Sequence, residues 1–92
     1  MHDWTLLSIL FEWATGRVTL SFQNSRSETV SLVADSVADL QIARLHEWGS
    51  SVSVNKMIGP TLKGELQVLE IQMQSGDTIR LVATSFQLPL QT

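Results

Sequence analysis

The feature that most constrains this chain is a period of two in its apolar residues. Between Leu7 and Trp13 the odd positions are Leu7, Ile9, Phe11 and Trp13, while Ser8 and Glu12 stand among the even ones. Successive side chains of a strand point to opposite faces, so this alternation describes a half-buried β-strand with one apolar face. The pattern returns from Arg17 to Gln23, where Val18, Leu20 and Phe22 alternate with Thr19, Ser21 and Gln23. Ala14-Thr15-Gly16 separates the two runs, and Gly16 can turn the chain through a positive φ at no steric cost. The pair reads as an antiparallel hairpin. After a turn at Asn24-Ser25-Arg26-Ser27, the segment from Glu28 to Ala34 alternates again, with Val30, Leu32 and Ala34 on one side. A second hairpin follows near the C-terminus. There Leu69, Ile71 and Met73 share a face, Ser75-Gly76-Asp77 turns the chain, and Ile79, Leu81 and Ala83 align on the way back. Pro89 opposes a central strand continuing past it.

The middle of the chain supports two readings. Over residues 36–48, Ser36 with Asp39 is a variant of a capping box and Gly49 suits the position just past a helix end. Ala38, Ile42, Leu45 and Trp48 would then share a helical face, and the abundance of Ala, Leu, Gln, Arg and Glu favours a helix. Read as a strand, the same stretch places Ala38, Leu40 and Ile42 on one side. No internal repeat, low-complexity tract or long linker divides the chain. Residues 1–92 therefore form a single domain, which their number also fits.

The fold class expected is all-β, with 36–48 as either a short helix or a further strand. About six or seven strands in an antiparallel meander would curl into a small sandwich or open barrel. Its core would hold Leu7, Ile9, Phe11, Val18, Leu20, Phe22, Val30, Leu32, Leu69, Ile71, Ile79 and Leu81.

Charge and composition narrow the function classes. Charged residues are 16% of the chain and the net charge is −3, so the surface is sparsely charged. The basic residues Arg17, Arg26, Arg44, Lys56, Lys63 and Arg80 are scattered along the chain. Nucleic-acid binding needs clustered cations that displace counterions, so no nucleic-acid partner is expected. With no cysteine, disulfides, thiolate metal sites and a cysteine nucleophile are excluded. That fits a reducing, cytoplasmic setting. The opening Met1-His2-Asp3-Trp4 has no basic region, and Ser8 and Glu12 interrupt the apolar stretch behind it. Neither a signal peptide nor a membrane span is expected.

No familiar catalytic or cofactor motif emerges. His2 and His46 are far apart in the chain, unlike the close spacing of histidine metal sites, so no metal is assigned and the N-terminus reads as a ragged end. No serine sits in Gly-x-Ser-x-Gly. Glu70 lies in an apolar strand, but flanking Leu69 and Ile71 turn it outward to solvent. Glu65 with Glu70, and Asp35 with Asp39, are carboxylate pairs only on paper. Gly59-Pro60-Thr61-Leu62-Lys63-Gly64 lacks the spacing of a phosphate-binding loop and reads as an ordinary loop. No catalytic residue and no cofactor are assigned.

The densest functional chemistry lies in one short stretch, where His46, Glu47, Trp48, Ser50, Ser51 and Asn55 form a candidate binding loop around Gly49. Binding residues concentrate on loops held by a rigid scaffold, and Trp brings large contact area with one donor. The structural alternative has Trp48 covering the open end of the sheet and Asn55 tying down the loop backbone.

Three local patterns carry a resemblance. They are His2-Asp3-x-x-Leu6-x-x-Ile9, Trp48-Gly49-x-Ser51-x-x-x-Asn55 and Met73-Gln74-Ser75-Gly76-Asp77. In this order they resemble a group of small bacterial β-domain proteins without an assigned activity. That group is in turn similar to short β domains that include immunity proteins paired with bacterial toxins. The resemblance implies a strand-like segment from Val37 to Leu45, although this chain lacks the prolines common near that segment's end. It also implies an immunity-type role. The function expected is thus a non-enzymatic protein-binding module, its partner another protein or a second copy in a homodimer. The alternative is a small-ligand or carbohydrate-binding domain that uses Trp48 as a stacking platform. Self-association is expected because the first strand, guarded only by Glu12, and the last, guarded only by Arg80, would leave sheet edges open.

Overall fold

The computed structural model describes residues 2–45 and 52–89. Among these residues there are six strands and no helix: β1 (Thr5–Glu12), β2 (Arg17–Gln23), β3 (Thr29–Ile42), β4 (Val54–Lys63), β5 (Leu66–Met73) and β6 (Thr78–Gln87). All pairings are antiparallel. The strands lie in the order β1-β2-β3-β6-β5-β4, so two three-stranded meanders stand side by side and join through β3 and β6. The all-β class read from the alternation is the fold observed.

Both outer strands curl toward each other. Thr5 bridges Ser53, and the main-chain bonds Asp3 N to Val54 O, Val54 N to Trp4 O and Leu6 N to Val52 O extend the contact. The sheet therefore closes on itself at one corner. Local irregularities make the curl feasible, since an extra residue on one strand bends it and sharpens its twist. One register shift lies between Leu6 and Ser8 of β1, and another between Val37 and Asp39 of β3. Ser36, just before the second, takes φ 51°. Gly16 in the β1–β2 turn docks on this bend, its carbonyl accepting the Val37 N–H at 2.8 Å.

The concave face holds the core. Trp4, Val18, Leu20, Phe22, Leu32, Ala34, Val54, Leu69, Ile71, Met73, Ile79, Leu81 and Ala83 are buried. Cross-strand register brings like with like: Leu20 faces Leu32, Leu69 faces Leu81, and Ile71 faces Ile79. Trp4 packs against Phe22 at a tilt, with ring centroids 6.2 Å apart and planes at 55°. Ile9 and Val30 pack against this core from its margin.

Several expectations need correction. The extra residue in β1 shifts its alternation by one place. Leu6 and Ile9, three apart, both reach the core, while Leu7 is left 52% exposed and Phe11 37% exposed. In the middle segment, residues 36–42 belong to β3, where pairing with β6 overrides helix propensity. The bulge there turns Val37 and Leu40 inward and leaves Ala38 exposed, so the strand does not keep Ala38, Leu40 and Ile42 on one face. The stretch from Gly59 to Lys63 is part of β4, with Gly59 and Pro60 filling a register shift between Ile58 and Thr61. The last strand is no edge: β6 lies between β3 and β5, and the edges are β1 and β4.

Gly59 and Gly64 both have positive φ, at 99° and 67°. A Cβ on Gly59 would stand 2.6 Å from the Val68 carbonyl oxygen, whereas one on Gly64 would meet nothing within 4 Å. Gly64→Ala should cost only the left-handed backbone penalty, about 1–2 kcal/mol. Gly59→Ala adds a main-chain clash and should cost clearly more. Urea denaturation of the two variants checks the order; equal losses would contradict the packing described.

Candidate functional site

The candidate loop residues His46, Glu47, Trp48, Ser50 and Ser51 lie outside the described residues. Asn55 is described, exposed on β4. Its main-chain carbonyl accepts a hydrogen bond from His2 Nδ1 at 2.7 Å, which requires the proton on that ring nitrogen. His2 and Asp3 are therefore tied down rather than ragged. The Asp3 N–H donates to Val54 O, the Asp3 carboxylate accepts from Gln74 Nε2, and His2 Nε2 stands 3.4 Å from Asp3 Oδ1.

The two ends of the candidate loop are held firmly. On one side, the Leu45 N–H donates to Asp77 Oδ1 at 2.9 Å. Asp77 is itself buried in the β5–β6 turn, where its other carboxylate oxygen accepts from Ser75 Oγ at 3.0 Å. On the other side, Val52 O accepts from the Leu6 N–H. Between these stems, β1 faces the end of the sheet across a pocket of about 220 Å³. Its lining is apolar (Leu6, Leu7, Ile9, Ile42, Val52, Met73 and Ile79), with Ser8, Arg44 and Asp77 as its polar groups.

A second groove, of about 320 Å³, continues along β1. Phe11 and Trp13 form one wall, and Val37, Ala38, Asp39 and Leu40 of β3 form the other. Trp13 is 88% exposed. Its ring lies 5.7 Å from that of Phe11 at an angle of 32°, so the two aromatics form one tilted platform. The Gly16–Val37 bond beneath anchors the turn that presents them. Reading the alternation alone assigns Trp13 to the apolar face of its strand. The warning in the sequence is its place directly before Ala14-Thr15-Gly16, where the strand has already ended.

Among the described residues, the strand carboxylates stand beside arginines. Glu70 sits on the outer face opposite Arg80, with Oε1 3.9 Å from Arg80 Nε. Asp39 Oδ2 lies 3.8 Å from Arg80 Nη1, and Asp35 Oδ1 is 3.0 Å from Arg17 Nε. Each carboxylate is thus engaged in an ordinary surface pair. Among the described residues, no three His, Asp or Glu side chains converge as metal ligands would.

Asp77 links the β5–β6 turn to the stem of the loop, so Asp77→Ala should remove both anchors at once. Stranding the buried Ser75 hydroxyl and releasing the Leu45 N–H should cost about 1–3 kcal/mol. A urea midpoint unchanged from wild type would show that the stem is not held this way.

No protein-family model matches this chain, nor does any curated protein or solved structure.

Proposed function

We propose that the protein is a non-enzymatic protein-binding module that engages its partner through Trp13 and the groove beside it. The observation that carries this reading is an indole 88% exposed on an otherwise well-packed domain. Large aromatic rings dominate binding energy when a partner buries them, and Trp is among the most enriched residues at such centres. The ring is held against Phe11 on an anchored turn, so little side-chain freedom is lost on docking. An immunity-type role against a toxin, in the cytoplasm, is the sharper form of the proposal, and its support is the resemblance of the three sequence patterns.

A second reading is favoured by the apolar pocket between Arg44 and Val52, which would suit a small ligand. Its volume of about 220 Å³ falls below the roughly 300–1,000 Å³ usual for drug-sized ligands. The protein-binding reading is therefore preferred.

Two tryptophans separate a binding role from a folding role. Trp4 is 3% exposed, and Trp4→Ala should cost about 3–5 kcal/mol of stability. Trp13→Ala should change stability by about 0.5 kcal/mol or less. It should nevertheless weaken a co-purifying protein partner by about 2 kcal/mol or more, close to thirty-fold. Chemical denaturation and titration calorimetry read the two effects. A partner held equally well by Trp13→Ala would defeat the proposal. A saturable small ligand lost on filling the pocket with Ile9→Trp would favour the second reading.

A further inference from the structure

We draw no further inference here: the strongest candidate, the groove between the Phe11–Trp13 platform and residues 37–40 of β3, belongs to the binding surface already described, and nothing in the structure shows what covers it.

Discussion

The pairing of β3 with β6 is the interaction on which the rest of this structure depends. Among the described residues it is the main ladder that joins the two meanders, and it runs from Val33 opposite Gln87 to Ile42 opposite Ile79. Without it, the β1–β3 and β4–β6 units would each be a three-stranded sheet with one apolar face open to water. With it, Leu32, Ala34, Leu81 and Ala83 come under one roof with Leu20 and Phe22. The bend at Ser36 and the bulge that follows let β3 serve both units at once. It pairs with β2 only as far as Ala34, and then continues along β6 alone.

Among the described residues, the buried polar side chains Asn24, Ser75 and Asp77 lie at turns, where local geometry can satisfy them. Asn24 holds the β2–β3 turn by accepting the N–H groups of Arg26 and Glu28 at its side-chain oxygen. In the β5–β6 turn the Ser75 hydroxyl accepts the Asp77 N–H and donates to the Asp77 carboxylate. An asparagine or aspartate that bonds the backbone two or more residues on imitates a main-chain turn, which is why these residue types mark the corners. The ion pairs of Arg17 and Arg80 lie on the outer face, where water screens them, so they tune the surface rather than hold the core.

Much of this was legible in the sequence wherever one face of a strand meets the core without interruption. Val18, Leu20 and Phe22, and later Leu69, Ile71, Ile79 and Leu81, alternate cleanly and are all buried. The reading failed where a strand gains a residue. Alternation cannot show a bulge, so Leu7 was misplaced and Leu6 missed, and the face assigned to Ala38 slipped by one. Strand order was also hidden. That β6 would lie inside the sheet is decided by the contact of β3 with a segment far along the chain, which no local pattern reports. Trp4 and Val54 are buried by the corner where β1 meets β4, another contact set by distant residues. Of the candidate loop, Asn55 could be placed, and its main chain rather than its amide makes the contact observed. The aromatic platform at Trp13 escaped notice because an exposed residue just past a strand end continues the same alternation as a buried one within it.

The strand order has a consequence for how the chain comes off the ribosome. β3 is complete well before its neighbour, because β4 and β5 must be made before β6. A domain generally folds as a unit, so it stays unfinished until its last segment has emerged. Through that interval the first hairpin and β3 can form, but the half of β3 beyond Ala34 has no strand to pair with, and Leu32 and Leu20 lack their cover. The nascent chain thus displays an unfinished ladder and a greasy face until its sixth strand arrives and slots into the middle. Translation speed across β4 and β5 sets how long this vulnerable intermediate is exposed to neighbouring chains.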